Sequence, residues 1–192
     1  MNKKELRAKY DQKRKELSTE EIENRSRAIA NQFSSVRMTG VRYLHTFYPM
    51  AGRHEMNSLL LAEAVRQRSP STALVLPKSD LVNCTLTHIL WTDDTPLAMN
   101  SWGITEPARG TEIAPADIDM VIIPLLAFDR RGHRLGYGKG FYDRFLSQCR
   151  PDVIKIGVSF FPPENIIQTE EHDIPLDLCI TPEKIWEFNH RL

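Results

Sequence analysis

The sequence predicts an α/β fold, an open and mostly parallel sheet sandwiched by helices, on three observations. At 192 residues the chain suits one domain, 1–192, with a continuous core. Short apolar, β-rich runs alternate with amphipathic segments, the order of a sheet with parallel crossovers. One apolar run, "MVIIPLLAF", leads through a glycine-rich loop into a helical pattern, which sets that loop at the carboxyl edge of the sheet.

Over residues 3–17 the apolar positions Leu6, Tyr10 and Leu17 are sparse among dense charges, so a surface helix with one narrow inward face is expected. Ser18 followed by Glu21 has the capping-box pattern and opens a second helix that buries Ile22, Ile29 and Phe33. Residues 41–48, "VRYLHTFY", read as a strand that stops at Pro49. Asn57, Ser58 and Leu59 open a helix running through Val65, and residues 72–77, "TALVLP", form a strand ending in proline. Residues 83–91 alternate polar and apolar side chains, as expected of an antiparallel or edge strand. Residues 93–116 are rich in polar residues and proline and read as a long connection, a length that is often functional. A buried strand over 119–124, a helix over 139–149, a strand in "VIKIGVSF" and a last short strand over 178–181 complete a Rossmann-like three-layer architecture.

Lysine plus arginine and aspartate plus glutamate each number 25, so no global field attracts nucleic acid or an anionic membrane, and an anion site must be local. Cys84, Cys149 and Cys179 lack the paired spacing of a zinc site or redox dithiol and are expected as reduced, packed thiols. No apolar run approaches the roughly 20 residues that span a bilayer, and the N-terminus lacks the apolar centre of a signal peptide. A soluble, cytoplasmic protein is expected.

The loop "DRRGHRLGYGKGFYDRFL" places Gly132, Gly136, Gly138 and Gly140 among Arg130, Arg131, Arg134 and Lys139. Glycines after a strand let backbone N–H groups approach an anion, and phosphate is the natural guest. The Walker A spacing fails because Gly140, not Ser or Thr, follows Lys139. The dinucleotide spacing fails because one residue separates Gly138 from Gly140. Asp143 beside such a cradle either pairs with a cation such as Arg144 or holds Mg²⁺ against phosphates.

The segment "GHRLGYGKGFYDRFL" resembles the signature loop of the 5-formyltetrahydrofolate cyclo-ligase family, also called 5,10-methenyltetrahydrofolate synthetases. The resemblance extends, in the family's order, to "KKELR", "YPMAGRHEMNS", "SWGITEP", "DMVIIPLLAFD" and "EEHDIPLD". It implies ATP-dependent closure of 5-formyltetrahydrofolate to 5,10-methenyltetrahydrofolate with release of ADP and phosphate. The resemblance further implies that ATP phosphorylates the formyl oxygen, giving an imidate phosphate that N10 attacks before phosphate leaves.

Carried over by residue, the resemblance implies that Lys3, Lys4 and Arg7 grip nucleotide phosphates; read alone, they are a solvated helix face. It assigns Arg134, Leu135, Gly136, Tyr137, Gly138, Lys139, Gly140, Phe141 and Tyr142 to the nucleotide loop, with Lys139 and Arg134 catalytic. Tyr137 to Phe141 also meet the folate in the family, as do Met50, Glu55 and Trp102. Glu55 suits pterin N–H groups and Trp102 a flat ring; their structural alternatives are a first-turn helix acid and a loop anchor. Asp143 and Asp173 match magnesium positions, with His172 a bystander. Asn57 and Ser58 depart from an acid and a threonine in many relatives, and Phe141 from a frequent tyrosine, which bears on folate binding. The implied partners are ATP, Mg²⁺ and 5-formyltetrahydrofolate with or without a polyglutamate tail; nucleic acid and membrane are excluded, and a monomer is expected.

Overall fold

In the computed structural model, residues 1–50 and 52–188 are described. Helix α1, Lys3–Lys15, starts at a capping box in which Asn2 accepts from the Glu5 amide and Glu5 from the Asn2 amide, each at 2.9 Å. Helix α2, Thr19–Phe33, starts at the box read from the sequence, with Ser18 and Glu21 exchanging bonds of 3.1 and 2.8 Å. Strand β1 is Tyr43–His45, helix α3 Leu59–Arg68, and β2 Ala73–Asp80. Then follow β3, Thr85–Trp91, β4, Leu97–Met99, β5, Thr105–Pro107, and β6, Met120–Pro124. A short hairpin of β7, Ala127–Phe128, and β8, Arg134–Leu135, precedes α4, Phe141–Leu146. The chain continues through β9, Ile154–Val158, β10, Leu178–Ile180, and β11, Ile185–Glu187.

Seven strands form the main sheet in the order β11-β10-β9-β6-β1-β2-β3. Its five inner strands pair in parallel, and an antiparallel strand closes each edge. Strand β6 shows why the apolar run is continuous rather than alternating. Met120 and Ile122 enter the cluster with Ile29, Phe33, Leu61 and Val65 of α2 and α3. Val121 and Ile123 face the opposite cluster with Phe145 and Leu146 of α4. A central strand buried on both faces must be apolar at every position. Helix α1 lies apart from these layers, with Leu6 and Tyr10 packed against Leu126, Ala127 and Leu135 around the β7–β8 hairpin.

Several expectations need correction, beginning with the strand read over 41–48, which is only Tyr43–His45. Strand β2 runs through Pro77 to Asp80 instead of ending at the proline. Its pairing with β1 ends at Val75, so the missing N–H lies beyond that ladder while β3 pairs the other edge. The connection over 93–116 contains the antiparallel β4–β5 hairpin and a 3₁₀ turn, Pro115–Asp117. The helix expected over 139–149 is only Phe141–Leu146, since Gly140 at its N-cap has φ of 71°. Strands β7, β8 and β11, two or three residues each, are too short to show a period. The cysteines are unbridged, and burial raises the thiol of Cys149 to about 11 and that of Cys179 well above its ordinary value. Among the described residues no helix is long and apolar enough to cross a membrane.

Candidate active site

The direction of chain travel changes between β1 and β6. From β1 the chain crosses through α3 to β2 on one side; from β6 it crosses through α4 to β9 on the other. Right-handed crossovers running in opposite directions put their helices on opposite faces and leave a crevice outside the carboxyl ends of the two adjacent strands. A cavity of about 630 Å³ opens there. It is lined from β1 onward by Phe47, Met50 and Glu55, and from β6 onward by Pro124 and the whole stretch from Arg134 to Asp143.

Helix α1 lays one basic face along the cavity. Lys3 binds Asp173 at 2.7 Å and Glu170 at 3.0 Å, and Arg7 Nε donates to the Gly136 carbonyl at 3.0 Å. Lys4 is exposed and does not line the cavity, because one step along a helix turns the side chain by about 100°. At Gly138 the backbone has φ of 89°, and an added Cβ would stand 2.9 Å from the Arg7 guanidinium carbon. The left-handed backbone at this position is what favours glycine, since the guanidinium at the end of a flexible side chain could shift.

Arg134, with a side chain only 6% exposed, donates to Asp143 at 2.6 Å and to the Ile174 carbonyl. Burial pulls the Arg134 pKa down from its ordinary value, opposed by the charges of Asp143 and Asp173. Arg144, the alternative partner for Asp143, instead donates to the carbonyls of Lys139 at 2.8 Å and Cys84 at 3.2 Å, tying the loop to the β2–β3 turn. For Asp173, burial would raise the pKa, but the Lys3 bond and the Glu170 amide outweigh it and hold the carboxyl below its usual value. Burial likewise opposes, and the bonds to Asp173 and Glu170 overcome, so that the Lys3 ammonium is raised.

Asp143 and Asp173 line the same cavity. Among the described residues no cluster of three or more His, Cys, Asp or Glu gathers for a metal. Two hard carboxylates suit Mg²⁺ that arrives bound mainly by phosphate oxygens and water.

Beside the glycine loop Glu55, 7% exposed, accepts from the Tyr137 hydroxyl and, at 2.8 Å, from the Met50 amide. Each carboxylate oxygen keeps a further lone pair for a ligand N–H. Trp102 sits in the β4–β5 turn, where Asn100 Oδ1 accepts the amides of Trp102 at 2.9 Å and Ile104 at 3.1 Å. Buried Glu106 anchors this hairpin to β2 by accepting the Ser79 amide at 2.9 Å. The Trp102 ring lies 6.4 Å from Phe141 and 5.7 Å from the Lys139 ammonium. Tyr142 also lines the cavity, and burial, with Glu55 nearby, raises its phenol well above the ordinary value.

Apart from Lys4, every ligand-site residue that the family resemblance implies, Leu135 and Gly140 included, lines this one cavity, whereas Asn57, Ser58, Arg130, Arg131 and Gly132 do not. His172, read as a bystander, lines it too. Sequence reasoning missed Arg14, which is buried behind Tyr137. Its spacing was the available signal, since Lys3, Arg7 and Arg14 stand at i, i+4 and i+11 on one helix face.

The arrangement combines cations facing carboxylates at a glycine loop with an adjoining buried carboxylate and aromatic rings, side chains that can receive an anionic group and a flat ring. Residues 1–182 match the 5-formyltetrahydrofolate cyclo-ligase family model. A 5-formyltetrahydrofolate cyclo-ligase of Escherichia coli K12 is 38% identical over 97 residues, 48% of this chain and 53% of that protein. A probable 5-formyltetrahydrofolate cyclo-ligase of Schizosaccharomyces pombe is 34% identical over 104 residues, 46% of this chain and 51% of that one. The chain thus spans about half the length of these curated relatives. The solution structure of Aquifex aeolicus 5,10-methenyltetrahydrofolate synthetase superposes with a TM-score of 0.83 at 28% identity, covering 100% of this chain and 95% of that one. A 5,10-methenyltetrahydrofolate synthetase from Mycoplasma pneumoniae gives 0.77 at 25% identity, covering 95% and 100%.

Proposed function

The chain belongs to the 5-formyltetrahydrofolate cyclo-ligase family, and we propose that it converts 5-formyltetrahydrofolate and ATP to 5,10-methenyltetrahydrofolate, ADP and phosphate. The observation that carries this reading is the single cavity holding Arg134, the 136–140 loop and Lys139 beside Glu55 and Trp102. An amide oxygen is a very poor leaving group. Transfer of the terminal phosphoryl group to the formyl oxygen makes it a good one; N10 then attacks the formyl carbon, and loss of the N10 proton and of phosphate, with its C–O bond, completes the ring.

Phosphoryl transfer needs alignment and charge stabilisation more than covalent help. Lys139 and Arg134 supply positive charge where the transferring group gathers negative charge, while Lys3 and Arg7 hold the remaining phosphates. Buried Arg134 keeps its orientation through Asp143 and the Ile174 carbonyl. Glu55 orients the pterin by accepting its ring N–H groups, Met50 packs beside it, and Trp102 offers a flat face. Asp143 and Asp173 would hold Mg²⁺, which would supply further charge neutralisation when bound. The apolar walls of Phe47, Pro124 and Leu135 help to exclude water from the activated oxygen.

The same reading makes the chain one cyclo-ligase domain, a cytoplasmic monomer that acts on folates with or without a polyglutamate tail and needs neither nucleic acid nor membrane. Incubation of the purified chain with 5-formyltetrahydrofolate, ATP and Mg²⁺ should give the near-ultraviolet absorbance of the methenyl product, with loss of signal when any component is omitted. Folded protein that binds nucleotide and forms no product would overturn the proposal.

A further inference from the structure

One buried cation beside the cavity has no part in the chemistry above. Arg14, on the inner face of α1, is only 5% exposed. Its Nη1 donates to the Tyr137 hydroxyl at 2.7 Å and its Nη2 to the Leu125 carbonyl. Neither partner is a carboxylate. The Tyr137 hydroxyl in turn meets Oε1 of Glu55, and Oε2 of Glu55 accepts the Met50 amide.

Hydrogen-bond inventory settles the direction of this chain. A guanidinium only donates, so the phenol oxygen accepts from Arg14 and its single proton is directed to Glu55. Burial first, then the Glu55 charge, raises the Tyr137 phenol well above its ordinary value, which keeps that proton in place at neutral pH. Arg14 and Glu55 are therefore an ion pair relayed through one phenol. Both ends are buried, where a misdirected polar group is expensive and a satisfied chain is rigid.

We infer that Arg14 is a positioning residue which, through Tyr137, fixes the carboxylate of Glu55 in the orientation that receives the pterin. The inference rests on the proposed cyclo-ligase function. Tyr137 lies within the 136–140 loop, and Arg14 shares α1 with Lys3 and Arg7. One helix thus holds both the phosphate grip and, at one remove, the folate contact.

The test is a double-mutant cycle read in KM for each substrate, with equilibrium binding of 5-formyltetrahydrofolate alongside. Arg14→Met should raise KM for 5-formyltetrahydrofolate about 10- to 100-fold, the loss expected for a misaligned charge-assisted contact. KM for ATP should stay near the wild-type value, and Arg14→Lys should recover part of the folate loss. Arg14→Met/Tyr137→Phe should be no worse than Tyr137→Phe alone, because the relay is already broken. Additive losses, an equal rise in both KM values, or an unchanged folate KM would overturn the inference. Should Arg14→Met fail to fold, Arg14→Lys, Tyr137→Phe and their double variant complete the same cycle. A wild-type chain that does not cyclise folate refutes the functional reading and this inference with it. A wild-type chain that turns over while its Arg14 variants keep their folate KM refutes this one alone.

Discussion

Lys139 differs from the other cations of the cavity in its surroundings. Lys3 and Arg134 are each bound to a carboxylate, whereas the Lys139 ammonium lies beside the face of Trp102. Its charge, like that of Arg7 on the Gly136 carbonyl, is not taken up by a carboxylate and is available to phosphate as that group transfers. Lys139→Ala should lower kcat by much more than it weakens folate binding, because the interaction is made chiefly in the transition state. Steady-state kinetics beside a binding titration check this, and equal turnover in the variant would remove Lys139 from the catalytic residues. Asp173 has a double task, as the partner of Lys3 and as a proposed Mg²⁺ position. Asp173→Asn keeps its size and removes its charge, so the Mg²⁺ concentration needed for half-maximal rate should rise. An unchanged magnesium titration would leave Asp143 as the only carboxylate serving the metal.

At the scale of elements, strand β9 shows the packing limit of the sheet. Gly157 pairs with Ile123 of β6 and Cys179 of β10. A Cβ there would stand 2.6 Å from Leu125, 2.7 Å from Leu176 and 3.2 Å from the Cys179 sulfur. All three belong to the cluster on the α4 face, so none has open space to move into. Gly157→Ala should destabilise the fold by about 1–3 kcal/mol through overpacking, measured as a lower denaturant midpoint with unchanged m-value. An equal midpoint would mean that this layer yields more easily than its distances suggest. Helix α1 works differently, since it brings the basic side chains of Lys3, Arg7 and Arg14 to the cavity or its border and buries few apolar ones. Its attachment is polar as well as apolar, through Lys9 and Tyr10 to Glu164 at 2.6 and 2.8 Å.

For the whole molecule, a buried histidine pair beneath α4 ties stability to pH. His45 and His88 have ring centroids 5.1 Å apart, with Phe145 at 4.7 and 3.9 Å from them and Tyr142 at 6.2 Å from His45. Among the described residues neither nitrogen of His45, nor Nδ1 of His88, has a hydrogen-bond partner. Burial lowers His88 to about 4, and burial with the neighbouring His88 holds His45 well below its ordinary value. The unfolded chain therefore binds more protons than the folded one between about pH 6.5 and 4. Stability is full above that window and falls as the pH drops through it, by about 1.4 kcal/mol per pH unit for each histidine titrating only in the unfolded state. Denaturant unfolding at stepped pH should show this slope, and His88→Leu should remove one proton's share of it. A flat profile over that window would refute the neutral, buried pair.

Parts of the architecture were legible because local chemistry forces them. The Ser18 and Glu21 box, the uniformly apolar β6 and the alternating β3 each express a rule that acts within a few residues. The β4–β5 hairpin was not legible, because its strands are three residues long and its anchor is Glu106 reaching the Ser79 amide across 27 positions. Lys4, expected at the site, lies outside the cavity, and Arg14 was missed, for a related reason. Motif likeness marks a segment, whereas burial depends on which helix face meets the rest of the protein.

The amino-acid order alone determined the α/β class, the two-sided sheet core, the glycine loop and the family, since each is written in periodicity or in contiguous motifs. Only the tertiary structure decided which cations reach the cavity, that Arg134 rather than Arg144 binds Asp143, and that Arg14 stands behind Tyr137 and Glu55. Those pairings join residues from 9 to 123 positions apart. Their partners are chosen by the meeting of β1 and β6 at the switch in chain direction, and that meeting exists only once the sheet has assembled.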